Sequence, residues 1–583
     1  MPTDEPAREA PGPAHTAPTA PGGEGRGIGH YVRLIVLAVG LGIAGALAAH
    51  LFRAGLEHAS HAMFGSGQDI TLVFSNLPWY VRVALPALGG AIAGAILARA
   101  RQREQAAGVV SEYLETIDGR IGRIPVVPSL LRCLSSFFSI VSGGSIGKEG
   151  AMVQLSATAG SVLCARMPGL RGHEFRLAVA MAATGGLAAV YHTPLAAAIF
   201  VAEIAFGGIE LRRTGYLFTA AVASAWVTST MEPFTPLYSL PAHTFGVSAA
   251  SVLGVGALGL AAGLAGAAFL WCTRQARAGF ARLHRSLVVR MTLGGLIVGL
   301  ITLAAPDVTG NGFAPIERLL TAGTLETSLL LLLALKVAAT AATVGSGAVG
   351  GLFTPSLLIG ALAGGACAPL AAQLFGLQDG VLLGILGMAA ALSATTQAPL
   401  MSTLMVFEMT QEPAFVFPLM IATAAAYAVS QLFRQPGAYE VMARHRARYE
   451  RRSRLSDALV SGVMRAPGAL APVTASPREA AQLGLAQKKR FVFVVDDATR
   501  FVGAIWTNDL LARAEDIPAP ALRELALDDF PIVYAGQRVL DVWQIVVESP
   551  AERTPVLSDP VERRVVGIVQ KSDLLRRAGE LFV

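Results

Sequence analysis

Apolar runs at residues 31–52, 79–100, 248–273, 288–305, 327–345 and 412–433 constrain this chain more than any other feature. Several reach the ~20 residues that a helix needs to cross a bilayer. With 53% apolar and 15% charged residues and a mean hydropathy of +0.54, the chain lies outside the range of soluble enzymes and reads as a multi-pass membrane protein. Between about 125 and 230, and again between 340 and 410, Gly, Pro or Ser breaks the apolar sequence every 10 to 16 residues. Half-helices buried within protein are expected there, because a broken backbone in lipid would leave polar groups without partners. Residues 1–28, rich in Pro, Ala and Gly and without an apolar period, are expected to form a disordered tail rather than a signal peptide.

The net charge of +6 does not point to nucleic acid, since basic residues gather where apolar runs end, in "TRQARAGFARLHR" (273–285) and "FRQPGAYEVMARHRARYERRSR" (433–454). The positive-inside rule explains both and places the C-terminal tail in the cytosol, with the plasma (bacterial inner) membrane as the expected location. Cys133, Cys164, Cys272 and Cys367 stand singly in apolar surroundings and read as small core residues, not as a disulfide or zinc framework.

An internal duplication organises the membrane part. "SGGSIGKEGAMVQLSATAG" (142–160) aligns with "SGAVGGLFTPSLLIGALAG" (346–364) at an offset of 204, and "PLAAAIFVAE" (194–203) with "PLMSTLMVFE" (399–408) at 205. The predicted fold is an all-α polytopic membrane protein with an internal, inverted duplication and broken helices, followed by a cytosolic α/β pair. Helix N-termini meeting at a midplane carry unpaired N–H groups and partial positive charge, an arrangement that favours an anion. Gly147, Gly150 and Gly351 are assigned to close backbone approach there, whereas Gly143 and Gly364 are assigned to helix packing.

"GKEGA" (147–151) resembles the motif G-K/R-E-G-P, "GLFTP" (351–355) resembles G-x-F-x-P, and "QPGAYEV" supplies Tyr439. On these residues, 29–445 resembles the CLC family of voltage-gated chloride channels and chloride/proton antiporters, in halves of about 29–235 and 245–440. The resemblance implies a homodimer that moves chloride, with protons and membrane lipid as further partners. It makes Glu149 the gate, a carboxylate that occupies an anion position, and Gly108, Lys148, Gly150, Gly351, Leu352, Phe353 and Tyr439 the anion-binding set. Gly108 falls where the family has a coordinating serine in G-S-G-x-P; the chain reads "AGVVSE" (107–112), with Ser111 as the alternative register. Where many antiporters carry an internal proton-passing glutamate stands Ile204, preceded by Glu203.

In the tail, "FVGAIWTNDLL" (501–511) recurs as "VVGIVQKSDLL" (565–575), resembling a pair of CBS motifs at 457–516 and 520–580, each expected as β-α-β-β-α. Such pairs bind adenine nucleotides through a hydroxyl residue and an aspartate; Asp509 and Asp573 are present, but Trp506 and Gln570 replace the hydroxyls, so nucleotide binding is expected to be weak. No nucleophile-base set, HExxH or Walker loop argues for an enzyme, and no cofactor is implied. A magnesium transporter with CBS modules, or a fluoride- or nitrate-selective relative, are the alternatives; hard cations, however, need clustered carboxylates or carbonyls.

Overall fold

The computed structural model describes residues 28–65, 70–118, 122–167, 170, 172–233, 235–238, 245–322, 325, 327–433, 437–439, 459–516, 518–539, 541–549 and 551–574. The expected N-terminal tail and most of the basic stretch 433–454 lie outside them. Two compact units, 1–442 and 443–583, divide the chain.

Among the described residues, fourteen principal helices build the first unit. Those of the first half are α1 (Ile28–Phe64), α2 (Trp79–Ala107), α3 (Val126–Val141), α4 (Glu149–Ala165), α5 (Gly172–Tyr191), α6 (Pro194–Phe200) and α7 (Leu211–Met231). The second half supplies α8 (Ala249–Leu283), α9 (Leu287–Ala304), α10 (Leu329–Ser346), α11 (Phe353–Phe375), α12 (Gly380–Thr396), α13 (Pro399–Thr410) and α14 (Val416–Leu432). Short helices, among them Phe313–Ala322, connect them.

The packing repeats with the numbering. α1 rests on α4, α5 and α7 as α8 rests on α11, α12 and α14. The halves join where α2 packs on α9 and α6 on α13. Among the described residues, seven helical segments are long and apolar enough to cross a membrane, including all six of the apolar runs. The seventh, α11, corrects the sequence expectation of half-helices throughout 340–410, and α5 and α7 are likewise longer than the glycine spacing suggested. Glycine in these helices serves close packing instead of ending them. From Leu382 to Thr396 every residue of α12 is buried, so its apolar character on all sides reflects a central position. Where α11 and α12 cross, a Cβ on Gly387 would lie 2.1 Å from the Gly360 carbonyl oxygen, and one on Gly360 would lie 2.2 Å from that of Gly387.

At the junction of α6 with α13 each helix is capped by a carboxylate from the other half. Glu408 accepts hydrogen bonds from Leu195 N (3.0 Å) and Ala196 N (2.7 Å), at the start of α6. Glu203 accepts from Met401 N (3.0 Å) and from the Leu400 amide, at the start of α13. The identical Pro-to-Glu spacing in the two repeats thus has a structural cause. Each proline opens a helix without losing a needed N–H, and each glutamate satisfies the next orphan amides of its counterpart.

The second unit holds two sheets of the same design. β1 (Leu470–Pro472) runs parallel to β2 (Phe491–Val495), which pairs antiparallel with β3 (Phe501–Trp506). β4 (Val533–Tyr534), β5 (Arg553–Leu557) and β6 (Val565–Gln570) repeat that order. A helix crosses between the first two strands of each, Pro477–Ala486 and Trp543–Glu548, which gives the expected β-α-β-β order twice. At the first of these helices Ser476 and Glu479 form a capping box, and the hydrogen bonds from the Ser476 amide and hydroxyl hold the Glu479 carboxyl below its ordinary range.

Two outcomes follow from these packings. Gly387→Val should lower stability in detergent by ~1–3 kcal/mol through overpacking, while Gly256→Val, whose Cβ meets nothing within 4 Å, should act as a neutral control in the same thermal melts. Glu408→Ala and Glu203→Ala should each cost about 1–3 kcal/mol by stranding buried amides, and Glu408→Gln, which keeps one acceptor oxygen, should recover roughly half of that. Unchanged melting of both alanine variants would show that the reciprocal caps contribute nothing.

Candidate functional site

α4 and α11 begin side by side. Gly147 N donates to Gly351 O and Gly351 N to Gly147 O, both at 2.9 Å, in an antiparallel bridge between positions that the repeat alignment makes equivalent. The loop before α4 is tied to α10, since Ser145 N donates to Thr343 Oγ1 (3.2 Å) and its hydroxyl meets Thr340 Oγ1 (2.9 Å). First-turn amides of both helices, those of Gly150, Leu352 and Phe353 among them, have no carbonyl of their own helix to bond. Pro355 gives up one such donor in the first turn at little cost.

Glu149, only 3% exposed, folds its carboxylate back over the glycine bridge. A Cβ on Gly147 would stand 1.9 Å from Oε2, and one on Gly351 2.8 Å from the same atom, so neither position accepts a side chain without moving the carboxylate. Oε1 accepts from Thr354 Oγ1 at 2.5 Å and from Asn311 Nδ2 at 3.4 Å. Oε2 is buried and accepts no hydrogen bond from the described residues.

A cavity of about 440 Å³ reaches Glu149. Gly150, Gly351, Leu352, Phe353 and Tyr439 line it, so the structure gathers most of the sequence-assigned anion set around one space. Tyr439 is positioned by Ala438 N, which donates to Thr395 O at 2.7 Å, and by edge-on contact with Phe200 at 5.6 Å. Elsewhere on the wall stand Arg101, Arg132, Arg277 and Arg290, close enough for the other three charges to act on Arg101. Glu112, Glu115 and Glu149 line the same cavity, so four guanidinium groups share it with three carboxylates. The four arginines come from four different helices, and only Arg277 falls within a basic stretch noted at the end of an apolar run.

Several assignments fall elsewhere. Gly108 is not part of the lining: it terminates α2 in a left-handed conformation (φ 63°), which explains the glycine there. Ser111 offers no replacement, as its amide and hydroxyl both donate to Glu104, which also faces Arg132 at 3.7 Å. Glu112 and Tyr113 line that part of the cavity instead. Lys148 occupies the position before α4 and does not line the cavity. Ile204 is fully buried inside a π-helical turn, Val201–Ala205, and neither it nor Glu203 lines the cavity. In the second unit Asp573 pairs with Arg465 at 2.7 Å, while Asp509 is exposed in the first turn of Thr507–Ala512. Among the described residues no group of three or more His, Cys, Asp or Glu side chains could hold a metal ion.

Sequence reasoning missed Asn311, Thr354 and Lys336. Lys336, fully buried in α10, donates Nζ to Val308 O (2.9 Å) and Gly310 O (3.0 Å) and so holds the loop that carries Asn311. The available signals were a lone lysine within "LLLLLALKVAAT" and an amide between two glycines in "TGNGF".

Residues 89–431 match the voltage gated chloride channel family. A ClcB-like protein of Ralstonia nicotianae is 39% identical over 428 residues, covering 71% of this chain and 97% of that protein. The voltage-gated ClC-type chloride channel ClcB of Salmonella typhimurium is 34% identical over 416 residues, covering 70% and 98%. Among solved structures, a slow cyanobacterial Cl⁻/H⁺ antiporter superposes with a TM-score of 0.60 at 22% identity, over 72% of this chain and 99% of its own. A eukaryotic CLC transporter superposes with a TM-score of 0.57 at 19% identity over 93% and 98%, so the likeness of fold extends into the tail. The duplicated helix starts, the buried carboxylate between them and these relatives lead to one conclusion: the chain belongs to the voltage-gated chloride channel (CLC) family of membrane proteins, which transport anions.

Proposed function

We propose that Glu149 gates a chloride path running from the arginine-lined cavity past Tyr439 and the Leu352 and Phe353 amides. The observation that carries this reading is the Glu149 carboxylate itself, buried over the Gly147–Gly351 bridge with Oε2 unpartnered. A buried anion so incompletely satisfied is costly, and either a proton or a competing chloride relieves the cost. A carboxylate at two helix starts thus acts as a surrogate for the transported ion.

Glu149→Gln imitates the protonated gate. Chloride efflux from proteoliposomes should be retained or raised, while any coupled proton movement, recorded at the same time, should vanish. Loss of chloride flux in a folded Glu149→Gln protein would sink the assignment. Proton coupling in the parent protein should be weak, since Ile204 neither binds nor donates a proton and Glu203 is engaged in capping α13. Glu203→Gln should therefore leave the proton-to-chloride ratio nearly unchanged in reversal-potential measurements.

The functional unit we propose is a homodimer. α7 packs on α6, α6 on α13 and α13 on α14, the paired positions Leu195 and Leu400 are 43% and 44% exposed, and Trp226 of α7 and Phe417 of α14 are exposed as well. Single-molecule subunit counting that returned monomers would overturn this. The second unit, read as a cytosolic CBS pair, serves assembly more than nucleotide sensing, because the Asp573 carboxylate is held by Arg465 and Trp506 and Gln570 offer no hydroxyl. Calorimetry on the full chain should detect no micromolar binding of ATP or AMP; such binding, if lost on Asp509→Ala or Asp573→Ala, would reverse the assignment.

A further inference from the structure

We infer that Asn311 and Thr354 form a polar latch on Glu149 Oε1 and set how much external chloride is needed to displace the carboxylate. This rests on the reading of Glu149 as the gate.

Several independent features aim Asn311 at that oxygen. Gly310 (φ 62°) and Gly312 (φ 96°) flank it in left-handed backbone that other residues adopt only with strain. The buried Lys336 ammonium grips the carbonyls of Val308 and Gly310, on the approach to Asn311. Asn311 Oδ1 accepts from Phe313 N at 3.2 Å, which fixes the amide so that its NH₂ group, not its oxygen, faces Glu149. Phe313 is in turn held by stacking on the buried Tyr238 ring, 5.0 Å away with 20° between the planes.

Thr354 is aimed as strictly. Its hydroxyl has one proton, and at 2.5 Å from a carboxylate oxygen that proton is donated to Glu149. The Tyr191 hydroxyl, 3.0 Å from Thr354 Oγ1, must then donate to Thr354. Tyr191 is buried against Phe353, with ring centroids 5.0 Å apart, so the donor chain starts from a fixed point. Both side chains grip the same oxygen, while Oε2 accepts nothing from the described residues.

Hydrogen bonds to an ionised acceptor are stronger than neutral ones, and the geometry ranks the two contacts: the short one from Thr354 outweighs the long one from Asn311. Chloride that takes the place of the carboxylate must break both. Weakening the latch therefore lowers the chloride concentration required and leaves the maximal rate, reached once the gate is displaced, unchanged. The repeat alignment sharpens the point. Thr354 stands at the position equivalent to Gly150, so the second half supplies a hydroxyl for the carboxylate of the first.

Chloride flux into proteoliposomes, titrated against external chloride, tests this in the full-length protein. Thr354→Val should lower the half-saturating concentration about tenfold and Asn311→Ala about twofold to threefold, each with an unaltered maximal rate. Thr354→Ser, which keeps the donor, should behave as the parent. In a Glu149→Ala background neither substitution should have any further effect. If Glu149→Ala itself leaves the chloride dependence as in the parent, the gate reading fails and the latch with it. If Glu149→Ala changes it but Asn311→Ala and Thr354→Val match the parent, or shift it equally with and without Glu149, the latch alone is overturned. Should Thr354→Val not fold, Asn311→Ala with its Glu149→Ala partner decides the question on its own.

Discussion

The exchange of two hydrogen bonds between Gly147 and Gly351 is the interaction on which the membrane unit depends. Each residue pairs with its own counterpart in the duplicated sequence, as two halves related by a local twofold axis require. The exchange brings two helix starts together without a side chain between them, and their first-turn amides face a common space. Equivalent backbones then carry unlike side chains. Glu149 in one half corresponds to Phe353 in the other, and Gly150 corresponds to Thr354. The symmetry brings two helix starts to one space, and the departures from symmetry put a buried carboxylate and its hydroxyl donor inside it, the pair to which we assign the gate.

The same electrostatics appears a second time in a permanent form. At α6 and α13 the helix starts also meet carboxylates, but Glu408 uses both of its oxygens, each with an amide donor of its own. Glu149 uses one oxygen and buries the other without a partner among the described residues. A fully satisfied carboxylate suits a structural cap, whereas a half-satisfied one is less firmly held, which suits the gating role proposed for Glu149. Under that proposal, cap and gate differ in hydrogen-bond completeness and not in residue type.

Much of this was legible in the sequence because it depends on spacing. The nearly constant offset, 204 and 205, between the two pairs of motifs located the duplication, and the glycines before Glu149 and Phe353 marked the helix starts correctly. Where the sequence reading failed, the cause was long-range. Gly108 looked like a missing ligand because its motif had to be placed by distance along the chain, yet its left-handed φ is a helix terminus, a purely local requirement. Asn311 lies 162 residues from the carboxylate it touches, and no periodicity links a loop amide to a helix start in another part of the chain. The arginine cluster was hidden for the same reason, since its members come from four separate helices and meet only after folding. The tail repeat gave its strand order faithfully, because alternating strands and turns are local.

The segment Val201–Ala205 joins these strands of argument at Glu203. Phe206 N bonds Val201 O, five residues back, so the helix widens by one residue at this point. Adjacent residues on a regular helix point about 100° apart, and a π-turn changes that phase locally. The distortion does not turn Glu203 toward the cavity. It turns the carboxylate across the local twofold axis to the amides of α13, and leaves Ile204 sealed in the core. A proton carrier must exchange hydrogen-bond partners as it works, but moving Glu203 would take its acceptor from two helix-start amides. The local symmetry adds a second restraint, because Glu408 is committed in the same way on the other side. The π-turn thus serves the junction between the halves, and the carboxylate nearest in sequence to the expected relay is held by that junction.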